Sequence, residues 1–267
     1  MFSEKNLFAA SLPKRTLCLT FDDGPGEVTE NIPGPKTIEI AEYLHKEKIS
    51  ATFFVVGKFV KDYAYILPQL LALGHDIGNH TFDHPHLPDF FLQKGDVLAE
   101  IIKTSELLPL TKNKPVFFRA PYGEWLPEIA RQLNHELKDS KYTFTGPIGW
   151  DIDTMDWQYW QRGINEKKCA EELLQKIFMA GKGVILMHDS SADDDVIKKK
   201  NLTFETLKIL IPNLKKAGYT FCRLNEIKFT DKKVEISKAR KVIKYGAMKY
   251  IWDYMIKRKH IHNVFPR

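Results

Sequence analysis

A handful of residues in the chain have types and spacings that could do chemistry: Asp22 and Asp23, His80 and His84, Arg119, the run from Trp150 to Trp157, and His188. Two adjacent carboxylates are costly unless a cation or a donor takes up their charge. Directly after a strand their side chains point to different sides, which suits two separate roles. The same Asp-Asp-Gly-Pro sequence is also good turn chemistry. His80 and His84 stand at i and i+4, one turn apart on one helical face, a spacing that suits two ligands of one metal ion. A carboxylate from another strand end would complete a set of two His and one Asp. Three protein ligands with open positions is the arrangement of a catalytic metal. Arg119 is a fixed cation that could orient a carboxylate and keep it ionised, or form an ordinary surface ion pair. His188 leaves the apolar run 184–187, and could serve as a general acid if a carboxylate raises its pKa. The acids and indoles around Asp153, Asp156 and Trp157 fit either a sugar-facing rim or a core.

These residues need elements that bring them together. Runs rich in β-branched and aromatic residues at 16–21, 51–56, 75–78, 116–119, 143–150, 183–187 and 219–224 read as strands, the fifth broken at Pro147. Between them, Ile40, Tyr43 and Leu44, then Leu98, Ile101 and Ile102, mark helical faces, and 166–179 and 203–215 read as helices. About seven β-then-α units argue for an α/β fold with a parallel sheet, either closed as a barrel or open. The chemical residues recur just after strand ends, and in parallel α/β folds those loops share one rim.

Composition bounds the rest. The chain has 267 residues, 43% hydrophobic and 28% charged, which is globular rather than disordered. Its formal charge of +6 is uneven: residues 228–267 hold twelve Lys/Arg against three Asp/Glu, so the first 227 residues carry a net −3. Any electrostatic partner therefore belongs to the tail. Cys18, Cys169 and Cys222 are too few and too scattered for a disulfide framework and read as free thiols. No apolar run is long enough to span a bilayer. The apolar stretch after Glu4 and Lys5 is too short for an export signal, so the expected location is the cytoplasm, unless a leader ahead of Met1 has been removed.

TFDDGP at 20–25, HTFDH at 80–84, RAPYG at 119–123, DTMDW at 153–157 and LMH at 186–188 resemble the five ordered motifs of the polysaccharide deacetylase family, the carbohydrate esterase family 4 or NodB-homology group. The resemblance spans about residues 16–224. It implies a distorted (β/α) barrel of about seven parallel strands over residues 1–227, with 228–267 as a basic helical extension. It also implies hydrolytic removal of acetyl from an N-acetylated amino sugar in a chitooligosaccharide- or peptidoglycan-like substrate. Asp23, His80 and His84 would hold a divalent metal, zinc first, with cobalt, nickel, manganese or iron as alternatives. Asp22 resembles the general base, Arg119 the residue that orients it, and His188 the acid that protonates the departing amine. Asp156 resembles the carboxylate that tethers His188, with Asp153 the second candidate in that motif. Tyr122 would offer its backbone N–H to the oxyanion, Trp157 and Leu186 would line the acetyl pocket, and Pro121 counts with these substrate-binding residues. The chemistry agrees: a metal lowers the pKa of water from about 15.7 toward about 7, the oxyanion needs fixed positive charge and a donor, and an amine leaves well only when protonated.

Two segments depart from the family pattern. Residues 26–35 make a longer loop beside the site, and 190–200, with three consecutive aspartates and three lysines, read as a solvated loop. In the tail, Ala239, Val242, Ile243, Ala247, Tyr250, Ile251 and Tyr254 follow helical spacing with basic residues elsewhere. Such a helix could lie on an anionic membrane surface at the inner face, or pack on the barrel or another subunit. The membrane option motivates an alternative substrate, a lipid-linked sugar to be deformylated or deacetylated; an O-acetyl ester is another. A sugar-binding protein without catalysis is disfavoured because all candidate residues are present, and nucleic-acid binding because the basic excess sits in one helix.

Overall fold

The computed structural model describes residues 1–26, 36–109 and 115–232. Ten strands run in chain order: β1 (Phe2–Ser11), β2 (Thr16–Asp22), β3 (Ala51–Val55), β4 (Asp76–Asn79), β5 (Val116–Phe117), β6 (Phe144–Ile148), β7 (Ile152–Asp153), β8 (Gly183–His188), β9 (Thr220–Phe221) and β10 (Lys228–Thr230). One sheet has the order β4-β3-β2-β8-β7, with β9 paired to the start of β2; a second has the order β10-β1-β6-β5. All ladders are parallel except the one between β1 and β10.

The α/β class and the parallel sheet agree with the sequence, but the closed barrel of about seven strands does not appear. The two sheets meet, among the described residues, through a single bridge between Asn79 and Phe118. Among the described residues no ladder joins β6 to β7, so the ring stays open there. The stretch 143–150 continues as a strand through Pro147 and breaks instead at 149–151. β1 escaped the sequence reading because Glu4, Lys5 and Asn6 interrupt any alternation. β10 lies past the expected boundary at 227 and pairs antiparallel with β1. Most of the expected extension, 233–267, and residues 27–35 of the long loop lie outside the described residues.

The central strand β2 is buried at all seven positions, as a parallel strand covered on both faces must be. Its side chains alternate. Leu17, Leu19 and Phe21 join the large cluster under the helices, where the rings of Phe21 and Phe53 stack at 5.0 Å and the helix Thr203–Lys216 adds Leu207 and Leu210. Cys18 joins the smaller cluster between the sheets, with Phe54, Ile148 and Val184. The same alternation turns Thr20 and Asp22, and in β8 Leu186 and His188, toward that interior. Register does the rest: Asp22 pairs with His188 on one side and Phe54 on the other. Helices 166–179 and 203–215 appear as Glu166–Ala180 and Thr203–Lys216. No helix among the described residues is long and apolar enough to cross a membrane.

Candidate active site

On one side of the rim, Asp22 meets Arg119. The guanidinium is fully buried, and a buried charge is tolerated only when paired and hydrogen-bonded. Nη1 donates to Asp22 Oδ1 at 2.7 Å and to Thr20 Oγ1 at 2.8 Å, Nε to the Ile148 carbonyl at 3.0 Å, and Nη2 to the Gly149 carbonyl at 3.4 Å. The cation lies 4.2 Å from the Phe54 ring centroid and 5.7 Å from that of Trp150. Arg119 is therefore no surface ion pair. It fixes one oxygen of Asp22, while the other, Oδ2, lies 3.6 Å from His80 Nε2. The turn after Arg119 requires Gly123: its φ is +72°, and a Cβ there would come within 2.3 Å of the Trp150 indole.

The histidine pair is not on a helix. Residues 80–84 form an irregular loop in which Thr81 and His84 take φ of 68° and 63°. Left-handed kinks, not the helical turn that the i, i+4 spacing suggests, set the two rings 5.0 Å apart. Side chains from behind hold these kinks. Asn79 accepts from the Thr81 N–H at 2.8 Å and donates to Ile101 O and Ser105 Oγ. Glu100, in the helix Val97–Leu107, accepts from the N–H groups of Phe82 and Asp83 at 3.0 and 2.8 Å. His80 Nδ1 pairs with the Arg119 carbonyl at 2.8 Å, which leaves Nε2 for the interior. His84 Nδ1 meets the Asp193 carboxylate at 3.1 Å, and its Nε2 lies 3.3 Å from Asp23 Oδ1.

Asp22 and Asp23 do not face apart as strand alternation suggests. Asp23 has φ of 75°, which turns its carboxylate back toward its neighbour, and both lie 3.6 Å from His80 Nε2. One ligand atom each from Asp23, His80 and His84 falls within 4.8 Å of the others. Burial alone would push the Asp23 carboxyl up, but the His84 and His80 imidazoles hold it well below the usual carboxylate range. His84 is pushed up to about 9: burial opposes, and Asp23 and Asp193 prevail.

On the opposite side, His188 Nδ1 lies 2.7 Å from Asp156 Oδ1, and the His188 N–H donates to Asp156 Oδ2 at 2.7 Å. Asp156 is buried at the start of the helix Asp156–Gln161. Thr203 Oγ1 donates to the His188 carbonyl at 2.8 Å, and the Trp160 ring stands edge-on at 6.4 Å. Burial would lower the histidine, but Asp156, then Asp23 and Asp22, raise it to about 10. Of the two tether candidates Asp156 makes this contact; Asp153 instead accepts from the Met155 N–H within its own turn. Trp157 is half-buried and donates its N–H to Asp156 Oδ1, and Leu186 is buried beside His188 with its carbonyl held by Thr154. Pro121 is buried, whereas Tyr122 is 52% exposed with its ring 4.8 Å from His84.

Sequence reasoning assigns no role to Thr20, inside the first motif, or to Glu100, Thr203 and Asp193, which lie outside every motif. Asp189 directly follows the LMH motif. It is buried, accepts from Thr37 Oγ1, and is pushed up to about 7 by burial and by Asp23 and Asp22. Its carboxylate explains Gly24, where a Cβ would lie 2.1 Å from Asp189 Oδ2. The loop 190–200 is not simply solvated, since Ser190 and Ser191 are buried against the site. Asp22, Asp23, Asp156, Asp189 and Asp193 all contribute carboxylates to the site, and among the described residues Arg119 pairs with Asp22 alone of these. The raised histidines each answer to neighbouring carboxylates, His84 to Asp23 and Asp193, and His188 to Asp156, Asp23 and Asp22. Two imidazole nitrogens and a carboxylate oxygen, buried in such surroundings, are a donor set suited to a divalent transition metal.

The polysaccharide deacetylase family model matches residues 9–138. A chitooligosaccharide deacetylase of Azorhizobium caulinodans is 31% identical over 76% of this chain and 90% of its own length. The chain belongs to the polysaccharide deacetylase family. A peptidoglycan-N-acetylglucosamine deacetylase of Bacillus cereus is 32% identical over 86% of this chain and 74% of that protein. Among solved structures, the Bc1960 peptidoglycan N-acetylglucosamine deacetylase superposes with a TM-score of 0.63 at 28% identity, covering 82% of this chain and 91% of that one. Polysaccharide deacetylases are hydrolases of non-peptide carbon–nitrogen bonds, so the chemistry to be explained is attack of water on an amide.

Proposed function

We propose that this protein is a metal-dependent N-deacetylase acting on an N-acetylated amino sugar within an oligo- or polysaccharide. One observation carries the reading: a buried Asp-His-His cluster stands between an arginine-held carboxylate and a carboxylate-held histidine. The chitooligosaccharide and peptidoglycan relatives support the sugar class. Asp23, His80 and His84 would hold the ion, zinc first among the divalent metals. A bound divalent ion acidifies water and polarises a carbonyl.

The chain's own residues would do the rest. Asp22, with Oδ1 pinned by Arg119, keeps Oδ2 on the cluster side to receive the proton of the attacking water. The Tyr122 backbone N–H would donate to the oxyanion. His188, kept protonated by Asp156, would pass its proton to the leaving nitrogen, so that water and amide become acetate and free amine. Leu186, Pro121 and Trp157 would face the acetyl group. An ester leaving group needs less help from an acid, so the His188–Asp156 pair supports the amide over the O-acetyl alternative.

The test is acetate and formate release from a panel of chitooligosaccharides, peptidoglycan fragments, O-acetylated sugars and lipid-linked amino sugars, using protein of measured metal content. Acetate from the N-acetylated oligosaccharides is the expected result. Release confined to esters or to lipid-linked sugars would overturn it.

A further inference from the structure

The three consecutive aspartates of the loop after β8 have three separate tasks. Asp195 is 83% exposed at its side chain and pairs with Lys198 at 3.0 Å. Asp194 caps the helix Asp195–Lys199, accepting from the N–H groups of Val196 and Ile197 at 2.7 and 2.9 Å. Asp193 alone turns inward. Its carboxylate meets His84 Nδ1 at 3.1 Å and accepts from the Tyr122 hydroxyl at 2.8 Å. The residue before it also reaches the cluster: the Ala192 N–H donates to Asp23 Oδ2 at 3.1 Å, and the Ala192 carbonyl accepts from Lys58 Nζ at 3.5 Å.

We infer that Ala192 and Asp193 form a strap that orients two of the three ligand side chains from outside, with Asp193 a positioning residue for the metal centre. An imidazole has one nitrogen to bind a cation only if the other is committed as a donor, and the partner of that donor fixes both tautomer and ring angle. The Arg119 carbonyl does this for His80. For His84 the partner is Asp193, a full negative charge. The Ala192 N–H occupies the outer oxygen of Asp23 and leaves Oδ1 facing the histidines. Because Tyr122 hangs on the same carboxylate, the strap also ties His84 to the turn after Arg119. It thereby links loops following β5 and β8 across the mouth of the site. Two features hold the strap in place: the buried Ser190 and Ser191 before it, and the Asp194 cap after it.

The inference rests on the assignment of Asp23, His80 and His84 as metal ligands, and its test separates the two. Zn²⁺ affinity of the metal-free full chain is measured by competition with a chelating indicator, for the native protein and for Asp193→Ala, Asp193→Asn, Asp195→Ala and His84→Ala. The His84 Nδ1–H resonance is followed by imidazole ¹⁵N NMR. The expected pattern is about 10–100-fold weaker binding in Asp193→Ala, a smaller loss in Asp193→Asn, and none in Asp195→Ala, which removes the same charge two residues away. The His84 Nδ1–H signal should exchange away in Asp193→Ala and persist in Asp195→Ala. Native affinity in both Asp193 variants overturns the strap and leaves the ligand assignment standing. An equal loss in Asp195→Ala also overturns it, by reducing the effect to net charge. If His84→Ala binds Zn²⁺ as tightly as the native chain, the ligand assignment fails and takes the strap with it. Should Asp193→Ala fail to fold, the isosteric Asp193→Asn decides alone.

Discussion

The two flanks of the cluster solve opposite electrostatic problems. On the Asp22 side a carboxylate is buried, and the chain supplies Arg119, locked by four donor contacts and two aromatic rings. On the His188 side burial works against the protonated histidine, and the chain supplies Asp156, which touches both the ring and the backbone N–H. The first flank spans both sheets, since Asp22 is on β2 and Arg119 follows β5. The second is built where β8 passes the helix Asp156–Gln161. In the proposed mechanism the base and the acid would thus be distinguished by their partners rather than by their own chemistry.

Breaking either flank at its reactive group gives the largest expected effect. Asp22→Asn and His188→Ala should each lower kcat for acetate release by about 10²–10⁴-fold, with metal content unchanged. Assaying both variants on an aryl acetate ester sharpens the contrast. Asp22→Asn should stay impaired there, and His188→Ala should recover most of its rate, because a phenolate leaves without a proton.

Next comes the support of each flank. Arg119→Ala strands a buried carboxylate and should cost about 3–5 kcal/mol in denaturant unfolding. Asp156→Asn acts on pH instead. His188 is raised from 6.5 to about 10 in the metal-free chain. Its proton therefore stabilises the fold fully below pH 6.5, and that contribution is lost as pH rises toward 10. Asp156→Asn should flatten this decline in the unfolding midpoint of the metal-free protein. In the active enzyme it should move the alkaline limb of kcat to lower pH, because the acid must carry its proton. A limb that stays in place would remove Asp156 from its role.

Smaller effects separate the scaffolding. Glu100→Ala orphans the N–H groups of Phe82 and Asp83 and should cost about 1–3 kcal/mol, read from the denaturant midpoint. Asp153→Asn touches only its own turn, and acetate release should stay within about threefold of native, as for surface changes of small energetic effect.

Strand ends carried the legible part of this site. Asp22, Arg119 and His188 follow apolar runs whose burial any β pattern would report, and their recurrence at one kind of place suggested a shared rim. What the pattern concealed was backbone handedness. Thr81, His84 and Asp23 are all left-handed, so neither the helical spacing of the histidines nor the alternation of the aspartates describes how they meet. Open topology was equally hidden, because β5 and β7 are two-residue strands and β1 is masked by charged residues. Asp193 was invisible for a different reason. Its neighbours Asp194 and Asp195 do behave as ordinary loop aspartates, and only the fold shows which of the three turns inward.

In the proposed mechanism, one ion on Asp23, His80 and His84 is the condition for deacetylation. Titrating the metal-free chain with Zn²⁺ while following acetate release from an N-acetylated chitooligosaccharide tests it directly. The account predicts activity rising in proportion to bound ion and breaking at one equivalent per chain, with no rise in His80→Ala or His84→Ala. Full acetate release by the metal-free protein, or full restoration of either histidine variant at one equivalent, would contradict it.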